Sequence, residues 1–191
     1  MIEYFDSHCH LTDIAFRDDR EAVFRRAREA GVTRLTMIAS DVADAVSAAD
    51  LAEDRDGVFS TAGLHPHAVG KAKPGDLDRV REIAMGRDGV VAVGETGLDY
   101  FYDSAPRAEQ RASFDAHLSL GAELSLPVVV HARDADDDVA AAIRGMPDGT
   151  RGVLHCFTGG DQAFQSAMAA GWYVSASGIA SFKSFTAADL L

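Results

Sequence analysis

The sequence predicts an α/β fold, a TIM-type (β/α)8 barrel that is incomplete, with about seven β/α units and no eighth strand. Three observations lead there. Short Val-rich apolar runs alternate along the chain with longer runs of helical period, which implies a parallel sheet covered by helices. The apolar runs are nearly continuous, as burial on both faces requires. The first run ends in His8-Cys9-His10 and lacks the Gly-rich turn of a doubly wound dinucleotide fold, which is the competing architecture.

The elements follow in order. Glu3 to His10 is a strand. Arg20 to Ala30 is a helix, with Asp18 and Asp19 at its start and Gly31 as its stop. Thr33 to Ala39 is a second strand. Val42, Ala45, Val46 and Ala49 recur at helical spacing and make Asp41 to Glu53 an amphipathic helix. Strands over Val58 to Leu64 and Val90 to Glu95 flank a helix over Asp76 to Met85. Pro106 suits the first turn of a long helix reaching Leu124. Val128 to His131, Gly152 to His155 and Tyr173 to Ser177 complete the strands, separated by helices over Asp134 to Arg144 and Asp161 to Ala170. The segment from Phe182 to Leu191 begins another helix. All 191 residues are expected to form one domain.

Composition narrows the function. No apolar stretch of about 18 residues occurs, so no membrane-spanning helix is expected. The N-terminus lacks a basic-then-apolar leader, and two cysteines are too few for a disulfide framework, so a reduced, cytoplasmic setting is expected. A net charge of −12 argues against tight, sequence-independent binding to a long duplex. It leaves room for an enzyme handling one strand end, because bound cations reverse the local potential.

The chemistry gathers at strand ends. His8 and His10 point to one face by strand alternation, while Cys9 points away into packing. Glu95, His131 and His155 each close a strand, and in a parallel barrel these ends share the catalytic face. A carboxylate has two oxygens and can bridge cations, whereas a neutral imidazole offers one nitrogen. The expected arrangement therefore places His8, His10 and Glu95 on one metal and Glu95, His131 and His155 on a second. Cations about 4 Å apart would clamp a phosphodiester and activate water. Glu95 is then catalytic as well as ligating. His65, in Gly63-Leu64-His65-Pro66-His67, is a candidate for holding phosphate or moving a proton, with His67 a weaker one. Arg133 either meets a phosphate or pairs with Asp134 or the run Asp136-Asp137-Asp138. Tyr100, Phe101 and Tyr102 either stack on a nucleobase or pack their loop. His117, inside the long helix, and Cys156 read as core.

Taken together, Asp6-Ser7-His8-Cys9-His10-Leu11, Gly63-Leu64-His65-Pro66-His67, Gly94-Glu95-Thr96-Gly97-Leu98-Asp99-Tyr100, Pro127 to Arg133, His155-Cys156-Phe157-Thr158-Gly159 and Ser177-Gly178-Ile179 resemble the TatD family of metal-dependent deoxyribonucleases. The resemblance implies a TIM barrel and hydrolysis of DNA phosphodiesters, often as a 3′→5′ exonuclease acting on a single strand or strand end. It implies His8, His10, Glu95, His131 and His155 as ligands of two divalent ions. Magnesium is the first expectation, and the histidine-rich set also suits manganese or zinc. It further implies a last metal-binding Asp, in a Glu-Thr-Asp segment on an eighth strand, which does not occur before Leu191. The expectation is a truncated chain with exposed strand edges and weakened activity. Two rival readings remain: an amidohydrolase-like enzyme acting on C–N or ester bonds, and a non-catalytic metal-holding remnant.

Overall fold

The computed structural model describes residues 2–183 together with Phe185 and Ala187. Seven parallel strands form one sheet in the order β1 to β7: Tyr4–Cys9, Val32–Met37, Val58–Ala62, Val90–Asp99, Val128–Arg133, Gly152–His155 and Tyr173–Val174. Helices α1 (Arg20–Glu29), α2 (Val42–Glu53), α3 (Pro66–Val69), α4 (Asp76–Gly86), α5 (Arg107–Leu124), α6 (Asp136–Gly145) and α7 (Asp161–Ala169) lie between them. Each strand pairs with its neighbour in sequence, the order of a (β/α)8 barrel. The sheet curls. The rings of His8 on β1 and His155 on β6 stack with centroids 3.3 Å apart. A flat sheet would separate those strands by five spacings, about 24 Å. The expected incomplete barrel is therefore present, and the open doubly wound sheet is not.

The core lies between the strands and the outer helices. Val93 and Leu98 of β4, Val130 of β5 and Leu154 of β6 pack in one cluster with Phe114 and Leu118 of α5 and Val139 and Ile143 of α6. A smaller cluster joins Leu35 and Met37 to Leu11, Ala48 and Val58. The face of α2 that enters these clusters is built from Ala45, Ala48, Ala49 and Ala52, small side chains that let the helix approach the sheet closely. Asp41 caps this helix by accepting from the Asp44 backbone N–H, so it precedes the first turn instead of opening it. The edges remain apolar in part: Tyr4 and Phe5 on β1 and Tyr173 on β7 are exposed.

Three elements differ from expectation where the site is built. The Gly63–His67 segment is more than a turn, since Pro66 occupies the first position of α3 and His65 is its N-cap. β4 continues four residues past Glu95 to Asp99. Gly97 permits this, because its φ is +129° and a Cβ there would lie 2.0 Å from the carbonyl oxygen of His131 on β5. β7 is shorter than expected, two residues long. The helix expected over 182–191 falls mostly outside the described residues.

Candidate metal centre

The strand ends open on a cavity of about 1140 Å³, lined by His8, His10, His65, Glu95, His131 and His155 among others. Three consecutive carbonyls just past β2 fix the geometry. Ile38 accepts from His10 Nδ1 (3.0 Å). Ala39 accepts from the Glu95 N–H (3.0 Å), and Ser40 from the His65 N–H (2.9 Å). Ile38 and Ala39 are fully buried, so three site residues are tied to one rigid stretch of backbone.

Glu95 stands at the centre and is buried. Its Oε2 lies 3.4 Å from His8 Nε2, and its Oε1 lies 3.4 Å from His131 Nδ1. Burial opposes its ionisation, but hydrogen bonds from His131 and His8 outweigh it and hold the carboxyl well below the usual carboxylate range. His8 Nε2 and His10 Nε2 approach to 3.2 Å. The bond from His10 Nδ1 to the Ile38 carbonyl fixes a proton on that nitrogen and turns Nε2 toward His8. Burial, reinforced by the charge of His8, pushes His155 down to about 4. Burial does the same to His65, to about 4. Both rings are neutral at physiological pH, the form that keeps one lone pair, which in His65 already accepts the His67 N–H.

The donors fall into two triples, His8–Glu95–His155 and His65–Glu95–His131, each with ligand atoms within 4.8 Å of one another. Glu95 belongs to both, as the sequence leads one to expect. The partition differs from that expectation: the curl of the sheet sets His155 against His8, and His65 takes the place beside His131. This donor set, one shared carboxylate among several imidazoles, fits divalent cations of the first transition row as well as magnesium.

Asp99 is the residue that sequence reasoning passed over. Fully buried, it accepts from His67 Nε2 (2.8 Å) and His131 Nε2 (3.1 Å) on Oδ2. Its Oδ1 accepts from the backbone N–H groups of Phe101 (3.0 Å) and Tyr102 (2.9 Å). Burial works against its charge, and the Tyr102 N–H and the two histidines overcome that to lower its pKa. The pair Glu95 and Asp99 in turn raise the pKa of His131 against the effect of burial. The available signal was alternation: Glu95, Gly97 and Asp99 share a strand face once β4 is allowed to continue. Asp99 orients His131, so Asp99→Asn is expected to weaken Mn²⁺ binding about 10- to 100-fold by calorimetric titration. Unchanged affinity would show that His131 needs no such support.

The remaining candidates are placed as follows. His65 Nδ1 accepts from the His67 backbone N–H (3.1 Å). Arg133 makes no salt bridge among the described residues. Of the acids it was weighed against, Asp138 is engaged with Arg111 and Asp136 with the first N–H groups of α7. Its guanidinium lies over the Phe101 ring, 4.1 Å from the centroid. His117 is core, as expected. Cys9 packs beside the smaller cluster, and burial pushes its thiol up to about 12. Cys156 is not core: it is half-buried on the cavity wall, with Sγ 2.6 Å from Ser177 Oγ. Among the described residues no helix is long and apolar enough to cross a membrane.

A curled parallel sheet with a histidine- and carboxylate-lined mouth defines a class, the metal-dependent hydrolases built on (β/α) barrels. Within that class the chain belongs to the TatD family: residues 5–190 match the family described as TatD related DNase. It is 36% identical over 182 residues to the uncharacterized metal-dependent hydrolase YcfH of Escherichia coli K12, covering 93% of this chain and 68% of that protein. It is 40% identical over 157 residues to the 3′-5′ ssDNA/RNA exonuclease TatD of Pantoea ananatis, covering 81% of this chain and 60% of that protein. The crystal structure of YJJV, a TatD homolog from Escherichia coli K12, superposes with a TM-score of 0.88 at 29% identity, over 98% of this chain and 73% of that one. The chain thus spans about two thirds of the length of these curated relatives.

Proposed function

We propose that this chain carries a phosphodiesterase site that hydrolyses DNA from a single-stranded 3′ end, with two divalent cations held by His8, His10, Glu95, His131 and His155. The observation that carries the reading is the two-sided engagement of Glu95, whose separate oxygens face histidines from β1 and β5 at equal distance. Carboxylates that bridge two cations need this arrangement. When bound, such cations supply Lewis acidity toward the phosphoryl oxygens and make water a better nucleophile at neutral pH.

The protein groups around that centre have separable tasks. His65 is neutral, and its Nδ1 is already an acceptor, so its ring proton sits on Nε2. It is therefore a hydrogen-bond donor to a substrate oxygen, which fits phosphate positioning better than metal ligation. Arg133, Lys71 and Lys73 line the same cavity and form no ion pair among the described residues. Most other arginines are matched to carboxylates or carbonyls, as Arg55 is to Glu21 and Arg87 to Glu53. In a chain of net charge −12 with three lysines, two unpaired lysines and an unpaired arginine at one mouth mark where an anionic backbone enters. The name of the Pantoea relative agrees in substrate and polarity.

The test is a parallel assay. A 5′-labelled single-stranded oligonucleotide and simple amide and ester substrates are incubated with the chain and Mg²⁺ or Mn²⁺. Progressive shortening from the 3′ end, abolished by EDTA and restored by added metal, is the expected result. Faster turnover of the amide or ester would overturn the nuclease reading in favour of an amidohydrolase. Metal-dependent binding of the strand without cleavage would overturn it in favour of a non-catalytic binding role.

A further inference from the structure

Two large aromatic side chains in the loop after β4 are more exposed than their chemistry favours. Phe101 and Tyr102 are 56% and 57% exposed. Their loop does not need them for packing. The Tyr100 hydroxyl bonds to Asp138, Ala105 is buried, and the buried Gln110 side chain bonds the carbonyls of Asp99 and Ala105. Nor is the backbone loose: buried Asp99 accepts both of their N–H groups, and the Asp99 N–H is itself held by Gln110 Oε1 (2.9 Å). Two apolar rings are therefore held rigidly at the surface.

They form part of a continuous surface. The two rings meet edge to face, with centroids 4.9 Å apart at 90°. Arg133 lies 4.1 Å from the Phe101 centroid and 4.9 Å from that of Tyr102. Tyr102 reaches inward to the ring of His67 (5.2 Å), which is bonded to Asp99, which in turn holds His131. The rings thus run outward from the residues of the metal centre. A guanidinium resting on a ring keeps its N–H edge available to a phosphate while its plane joins the stack.

We propose that Phe101, Tyr102 and Arg133 form a stacking platform for an unpaired nucleobase adjoining the phosphodiester held at Glu95. This deepens the nuclease reading and rests on it. Aromatic faces accept any base, because every base has a π-face. In a duplex those faces are covered by neighbouring pairs, so the platform selects a single strand or a frayed end without reading sequence. Asp99 then has two tasks, holding His131 toward Glu95 and holding the loop that presents the rings.

The test uses a single-stranded oligonucleotide with a 3′-terminal 2-aminopurine and a phosphorothioate at the last linkage to slow cleavage. Its partner strand ends in an abasic residue. In Mg²⁺, binding by the wild-type chain quenches the terminal 2-aminopurine, and the abasic strand binds about 5- to 100-fold more weakly, the range expected for losing one stacked base. In the double variant F101A/Y102A the quench disappears and the two strands bind alike. F101W/Y102F, which keeps two rings, restores both signals and separates stacking from general damage to the loop. Equal wild-type affinity for the two strands, or a quench that survives F101A/Y102A, overturns the platform. If an all-phosphodiester strand is still shortened in that case, the nuclease reading stands. Quenching with discrimination but without cleavage leaves the platform standing and removes the nuclease reading. No binding of either strand removes both.

Discussion

Glu95→Gln is expected to abolish metal-supported hydrolysis, the largest effect of any single substitution here. Glutamine keeps the volume of the side chain but replaces one oxygen by an NH₂ group that can only donate. Whichever way the amide turns, it directs a donor at His8 or at His131, both of which now engage a carboxylate oxygen. The site also loses its one buried negative charge shared by both histidine triples. Removing even an outer partner of a metal ligand typically costs about 10- to 100-fold in affinity or activity, so losing a shared ligand is expected to exceed that. Two measurements check it. Turnover of the labelled oligonucleotide should fall by more than about 100-fold at saturating Mn²⁺. The thermal shift that Mn²⁺ gives the wild-type chain, equivalent to about 2.7 kcal/mol at a hundredfold excess over Kd, should vanish in E95Q. A variant that keeps both its rate and its shift would mean that Glu95 is not a ligand.

The order of elements was legible because short apolar runs alternate with longer runs of helical period, and three of the strands, β4, β5 and β6, end in a polar residue at the rim. Gly152 to His155 is the clearest case, with identical expected and observed bounds. Three parts of the site were not legible, and all lie beyond the reach of local pattern. The contact of His155 with His8 depends on the curvature of the whole sheet, which no window of residues encodes. Asp99 was hidden because Thr96-Gly97 looks like the end of a strand. Only the tertiary fact that Gly97 lies against the His131 carbonyl explains why the strand continues through a glycine. The role of Ile38, Ala39 and Ser40 as a backbone anchor was equally hidden, since carbonyls leave no trace in side-chain chemistry. Arg133 shows the converse. Its local sequence offered four carboxylates, and the fold gives it none of them.

Lowering the pH is expected to destabilise the chain through a residue outside the metal centre. His117, fully buried in α5, accepts the Leu64 N–H on Nε2 (3.1 Å) and donates from Nδ1 to the Ser113 carbonyl (2.7 Å). It ties the long helix to the residue just before His65. Both ring nitrogens are committed to the neutral form, and burial, opposed only by the Ser113 bond, pushes its pKa from 6.5 to about 4. An unfolded chain takes up a proton on this residue below about 6.5, whereas the folded chain does not until near 4. The stabilisation is thus complete above the unfolded value and is lost as the pH falls through that window, by roughly 3 kcal/mol in all. His117→Phe removes the titration and strands the Leu64 N–H, which costs about 1–3 kcal/mol at neutral pH. Urea midpoints for the two proteins, measured with EDTA present, should therefore lie apart at pH 7 and draw together toward pH 4.5. The other histidines titrate in both chains and cancel from the difference. Parallel curves over that range would mean that His117 gains its proton in the folded state as readily as in the unfolded one, and that its burial exerts no hold on the turn carrying His65.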